Sequence, residues 1–149
     1  YQCALGECKE TAQIAIHSHT PSSSLLKMND LHKELYPHSA SSRKETVSVM
    51  ALDELDLSAC INGNILIKID VQGYEDKVIS GGRNTISKAK VVVIEMSYVE
   101  FYEGQKLFDN IYCSLNELGF EFRGNLAQSY NDKDGSITYS DSLFINSTL

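Results

Sequence analysis

The chain lacks any run approaching the roughly 18 apolar residues that a membrane span needs, and no charged-then-apolar leader opens it. It is also short of positive charge: 13 Lys and Arg stand against 20 Asp and Glu, for a net charge of −7. That balance argues against nucleic acid or an anionic membrane as an electrostatic partner. It suits a neutral or small-molecule substrate. Cysteine is sparse and unpatterned. Cys3, Cys8, Cys60 and Cys113 follow neither a metal-binding nor a disulfide spacing, so they read as reduced, small hydrophobic residues of a cytoplasmic protein. The nine glycines form no G-x-G-x-x-G-like cluster, and there is no internal repeat or low-complexity tract. What remains is ordinary globular composition, 42% apolar and 22% charged, in 149 residues, the size of one domain. The chain opens on Tyr1 rather than a methionine, which predicts that something precedes it.

The first 50 residues are the least regular. Gln2–Leu5 reads as a short strand, and Gly6 leads a polar turn. Ala12, Ile14 and Ile16 then alternate with Gln13, Ala15 and His17, so residues 2–17 predict a hairpin. His19–Ser24 is a loop by composition, Lys27–Tyr36 a short helix stopped by Pro37, and Ser39–Lys44 a second polar loop. Thr46–Met50 alternates again as a strand. The centre is clearer. Asn64–Asp70 is a β-rich run, Gln72-Gly73 a tight turn, and Tyr74–Ser80 a helix with acids in its first turn. Gly81-Gly82 breaks that helix, and Lys90–Glu95 is a continuous apolar strand of the kind covered on both faces. Strand, helix and strand within about 30 residues make a βαβ unit with parallel neighbours. Gln105–Leu118 carries an apolar helical stripe and Gly119 fits its cap. Phe120–Arg123 and Ile137–Ile145 are too close in sequence for a crossover, so they predict an antiparallel pair.

In an open parallel sheet, ligands bind outside the carboxyl ends of the strands. Two strands bring polar residues there: Asp70 with Gln72, and Glu95 with Ser97 and Tyr98. Adjacent strand ends lie about 5 Å apart, so Asp70 and Glu95 converge, and crowding of two carboxylates raises one pKa. That favours a general base for a hydroxyl proton. The competing role for Asp70 is a cap on the following helix. Glu75 reads as a carboxylate beside free helix N–H groups. Tyr98 and Tyr102 are candidates to wall a pocket. His17 and His19 lack a third ligand and read as surface histidines, no metal site is predicted, and Asn146-Ser147-Thr148 is a chance glycosylation triplet.

Ile65–Glu75, reading I-L-I-K-I-D-V-Q-G-Y-E, closely resembles the central signature of FkbM-type methyltransferases, usually K-I-D-V-E-G-x-E. Ala4-Leu5-Gly6-Glu7 is similar to that family's A-L-G-D segment, and Ser22-Ser23-Ser24-Leu25 to its serine-rich loop. Val49 with Leu52–Leu55, Val92–Met96 and Leu118-Gly119-Phe120 follow in the family's order. The resemblance implies a Rossmann-like, S-adenosylmethionine-dependent fold, acting on hydroxyl oxygens of sugars, polyketides or lipids. It implies that Asp70 lies beside the methionine end of the cofactor and the acceptor hydroxyl, with Ala4 and Leu5 near the adenine. Gln72 stands where the family often has Glu.

The family's glycine-rich turn and ribose-holding acid have no counterpart here, so the resemblance places the start of the chain at the family's third strand. The implied fold is an α/β, mostly parallel central sheet closed by a C-terminal antiparallel hairpin, without its first two strand–helix units. Residues 1–60 would hold the third-strand region, hairpin and insertion, and residues 61–149 the C-terminal half of the sheet. A gap of about 14 Å, three strand spacings, would then leave Ile65–Ile69 with a bare apolar edge. Such a fragment would bind cofactor poorly by itself. The alternative is a non-enzymatic module that forms a homodimer, or holds another partner, through that edge.

Overall fold

The computed structural model describes residues 1–18, 20–39, 41–58 and 63–149. Their alternating and continuous apolar runs fold as a mixed α/β structure with two sheets and four helices. The first sheet contains β1 (Ala4–Gly6), β2 (Glu10–His17) and β3 (Ser42–Ala51) in the order β1-β3-β2. β3 runs parallel to β1, with Leu5 opposite Met50, and antiparallel to β2, with Ala12 opposite Val47. This corrects the expected hairpin over residues 2–17: β1 and β2 occupy opposite edges of β3. β3 also starts at Ser42, inside the expected polar loop. Its first residues are exposed and join the sheet through backbone bonds, so they need no apolar side chains.

Between these strands lies α1 (Asp30–Leu35), whose cap residue Asn29 accepts the His32 N–H at 3.1 Å. The strap before it is tied on both sides. Ala15 and Ser24 exchange backbone bonds, and Asn29 and Glu103 bond Phe101 and Lys27.

The second sheet has the order β4-β5-β7-β6: β4 (Leu66–Ile69), β5 (Val91–Ser97), β6 (Phe120–Tyr130) and β7 (Ile137–Asn146). α2 (Glu75–Gly81) and α3 (Arg83–Ile86) connect β4 to its parallel neighbour β5. α4 (Phe108–Glu117) follows and ends at Gly119, where φ is +88°. β7 is antiparallel to both β5 and β6, as the short connection after Tyr130 requires. β6 extends well past Arg123, through three register shifts. Among the described residues only β1–β3 and β4–β5 are parallel, so two mixed sheets stand where the sequence predicts a single, mostly parallel sheet. β7 inserts between β5 and β6, and among the described residues nothing pairs with the other edge of β4.

The main core packs Ile69, Val92, Ile94 and Phe144 of the second sheet against Val78 and Ile79 of α2 and Ile111 and Leu115 of α4. Asp53, just after β3, accepts the Asn84 and Thr85 N–H groups of α3 at 2.9 and 2.7 Å, which joins the two sheets. An apolar cleft of about 170 Å³ lies where Leu5 and Leu52 face Ile65, Ile67 and Ile69. No described helix is long and apolar enough to cross a membrane.

Candidate functional site

The site grows out of strand alternation. Lys68 and Asp70 share one face of β4 and its end, and the β4–β5 register sets Asp70 level with Glu95. Glu95 stands directly opposite Asp141, and Ser97 opposite Tyr139, across the antiparallel β5–β7 pair. Three carboxylates thus form a row from the end of β4, across β5, to the middle of β7. Lys68 Nζ lies 2.9 Å from Asp70 Oδ2 and 3.5 Å from Asp141 Oδ1.

The loop after β4 reaches over this row. Gln72 adopts φ +55°, a left-handed conformation that side chains other than glycine seldom take. Its Nε2 donates to both Asp70 Oδ1 (2.8 Å) and Glu95 Oε1 (3.2 Å). Its Oε1 lies 3.0 Å from the Tyr102 hydroxyl, which is also 3.0 Å from the Ser22 carbonyl. The Ser24 hydroxyl donates to the Gln72 carbonyl at 2.6 Å. Buried Glu75 holds the loop from below, accepting the Val71 and Gly73 N–H groups at 3.1 and 3.2 Å. Asp70 makes no cap: Tyr74 is the N-cap residue of α2, with no side-chain bond. Its carboxylate is left facing the site.

A cavity of about 180 Å³ opens over Asp70, Gln72, Glu95 and Ser97, walled by Tyr36, Phe101, Tyr102 and Tyr139. Burial, then repulsion from Asp70, Glu75 and Asp141, pushes Glu95 up to about 8. Burial also raises Glu75 to about 7 against the pull of its backbone bonds. Tyr102 is driven well above the ordinary phenol range by burial and then by Glu95, so it stays a neutral hydroxyl. On the far side of the Ser24 strap, a second cavity of about 310 Å³ is lined by Ala4, Leu5, Ile14, Tyr74 and again Asp70.

With this geometry in view, the Methyltransferase FkbM domain family matches residues 1–122. The chain belongs to the FkbM methyltransferase family. Over 60 residues it is 40% identical to the 2-O-methyltransferase NoeI of Sinorhizobium fredii (strain NBRC 101917 / NGR234). That stretch covers 40% of this chain and 25% of the relative, so the match spans a quarter of the relative's length. No solved structure matches the chain.

In this FkbM chain the structure brings Asp70, Glu95, Gln72 and Ser97 to one cavity, and Ala4, Leu5 and Asp70 to the other. Tyr98 goes elsewhere. Strand alternation turns it from Ser97 to the opposite face, where its ring stacks on Phe108 at 5.0 Å and its hydroxyl lies 3.3 Å from Ser140. The period-2 rule applied to Ser97-Tyr98 separates the pair from sequence alone. Tyr102 does wall the cavity, as expected of it.

Tyr36, Tyr139 and Gln105 carry no sequence signal for the site. Gln105 falls outside α4. Its Oε1 accepts the Phe101 and Tyr102 N–H groups, and its Nε2 donates to Ser97 Oγ at 2.8 Å, which orients that hydroxyl. His17 is buried at 6% exposure, which corrects the expectation of a surface histidine, because the Ser39 carbonyl comes from a distant turn to meet its Nδ1. His19 and Cys60 lie outside the described residues. The other three cysteines are free, with Cys8 and Cys113 exposed rather than packed as small hydrophobic residues. Among the described residues no group of His, Cys, Asp and Glu is placed to hold a metal.

Proposed function

We propose that this chain carries the acceptor side of an S-adenosylmethionine-dependent O-methyltransferase with a Rossmann-like fold, and that Glu95 is its general base. The observation that carries this reading is the position of Asp70 in the walls of two cavities at once, one aromatic and acidic, the other mainly apolar. The second cavity suits part of the cofactor. Ala4, Leu5 and Ile14 offer an apolar wall to a purine ring, and Asp70 offers a carboxylate to a positive charge. S-adenosylmethionine supplies a methyl group already activated on a cationic sulfur.

The chain's own residues then do three things. The Tyr36, Phe101 and Tyr139 walls exclude water and orient the acceptor. Gln72 ties Asp70 to Glu95, holding both carboxylates toward the incoming hydroxyl. Glu95, in its ionised form, takes the hydroxyl proton as the oxygen attacks. A carboxylate row repels anions, so the acceptor group entering this cavity is a neutral hydroxyl compound of sugar, polyketide or lipid type.

The test is Asp70→Asn in a protein that contains this segment and methylates its acceptor. Transfer should fall by about 100-fold or more, with the melting temperature nearly unchanged, since the Asp70 carboxylate caps no helix. Loss of folding in place of loss of activity would reassign Asp70 to a structural role.

A second reading has one observation behind it: the edge of β4 that has no partner strand among the described residues, where Leu66 is 64% exposed. In that reading the chain is a non-catalytic module and β4 pairs with β4 of a second copy. Sedimentation velocity separates the two. Concentration-dependent dimers that Leu66→Lys dissolves support the module, and a monomer at all concentrations removes it.

A further inference from the structure

We propose that the outward face of the first sheet is a separate binding site for a small oxyanion that also carries a hydroxyl. Alternation along β2 sends Ile14 to the 310 Å³ cavity and Gln13, Ala15 and His17 to the opposite face. Ser42 and Lys44 of β3 join them there, opposite His17 and Ala15 in the register. The Ser24–Met28 strap and Lys33 of α1 cover this face and enclose a cavity of about 370 Å³, twice the volume over Glu95.

Its charge runs against the rest of the molecule. In a chain of net charge −7, the charged residues lining this cavity are Lys27, Lys33 and Lys44, with no carboxylate among them. Lys27 and Lys33 reach out to Glu103 and Asp30 in solvent-exposed pairs. Such exposed pairs contribute little, so an anion in the cavity competes with them readily. Lys44 has no ion pair among the described residues.

His17 supplies the second, independent observation. Its Nδ1–H donates to the Ser39 carbonyl at 2.5 Å, which leaves a lone pair on Nε2. That buried Nε2 has no hydrogen-bond partner among the described residues, an unusual state for a buried polar atom. An O–H on the bound anion satisfies it, while the lysines take the charged oxygens. The ligand class is therefore a hydroxyl-bearing phosphate or carboxylate, for which inorganic phosphate at neutral pH is the minimal probe.

The experiment titrates inorganic phosphate into the 149-residue chain at low ionic strength and follows backbone amides by NMR. Saturable shifts centred on Ala15, His17 and Lys44 are expected. Sulfate, which has no proton to donate, should bind more weakly. Lys44→Glu, on an exposed side chain that leaves the rest of the spectrum in place, should weaken phosphate at least about tenfold. Lys9→Glu, the same charge change outside the cavity, should leave binding as it was. Unsaturable shifts spread over many lysines, or binding that survives Lys44→Glu, mean an adventitious ion only and overturn the site. Equal affinity for sulfate overturns the role of His17.

Discussion

Replacing Glu95, the proposed general base, with Gln in a protein that contains this segment and methylates its acceptor is expected to lower methyl transfer by about 100- to 10,000-fold, the usual worth of such a base. The pH profile identifies the group. With Glu95 held near 8, activity of the parent rises with pH through about 8 as the carboxylate ionises, and the Gln variant loses that ascending limb. Stability moves the other way. Burial and the neighbouring carboxylates favour the protonated form, so the folded chain keeps a proton that the unfolded chain, near its ordinary value of 4.5, releases. The stabilisation is complete below that value and is lost as pH rises through about 8. Glu75, raised to about 7, adds to the same trend. Melting temperature therefore declines from mildly acidic to mildly basic pH, less steeply in Glu95→Gln because Glu75 remains. An unchanged pH–rate profile in the variant would place the base elsewhere, and an unchanged pH–stability slope would mean that Glu95 is more solvated than its position indicates.

The elements that sequence predicts well are those whose pairing is local. Lys90–Glu95 is a continuous apolar run and Asn64–Asp70 a β-rich one, and with only a short helical stretch between them they had few ways to lie other than side by side. That adjacency alone put Asp70 and Glu95 together. The first sheet is decided by contacts far apart in the chain, such as Glu10 with Val49 and His17 with Ser42. Alternation says that β2 is a strand without saying which strand it meets. The outer halves of β3 and β6 were invisible for another reason. Their side chains are largely exposed, so no hydrophobic pattern marks residues whose backbone bonds alone hold them in the sheet.

The aromatic walls of the cavity over Glu95 follow the same logic. Tyr36 ends α1, Phe101 and Tyr102 sit in the loop after β5, and Tyr139 is on β7. Three separate segments meet only in the folded state, through a small core of Met28, Phe101 and Tyr102. The bridging Gln72 was legible as a turn residue. Its two hydrogen bonds to the carboxylates depend on the Ser24 and Tyr102 hydroxyls, distant in sequence, donating to its backbone carbonyl and its side-chain Oε1.

Gly81→Ala tests how the two halves of the site are held together. In sequence, Gly81-Gly82 reads as a helix break, but Gly81 closes α2 against β1. A Cβ there would sit 2.0 Å from the Gly6 carbonyl oxygen, 3.0 Å from its carbon and 3.1 Å from Glu7 Cα. All three are backbone atoms, so no side-chain rotation relieves the overlap. Alanine in a helix is otherwise favoured over glycine by roughly 0.5–1 kcal/mol, but overpacking against fixed backbone costs about 1–3 kcal/mol and outweighs that gain. β1 is the element that yields. It is three residues long, pairs with β3 alone, and is steadied at this point by Lys77 and Ser80 on Glu7, both at 3.1 Å. Moving it displaces Ala4 and Leu5 from the 310 Å³ cavity while leaving Glu95 and its neighbours in place. The expected result is a melting temperature lower by several degrees and early loss of hydrogen-exchange protection at Leu5 and Gly6. Protection at Val92 and Ile94 should persist. Gly82→Ala is the milder comparison: a Cβ there meets movable Leu52 and Ile86 methyls at 2.9 and 3.1 Å and the Val78 carbonyl oxygen at 3.0 Å, a full ångström farther than the Gly6 oxygen lies from a Cβ at Gly81. If Gly81→Ala melts like the parent and keeps its β1 protection, α2 does not rest on β1 as described. The Asp70 bridge between the two cavities then loses the packing that would keep one of them in shape.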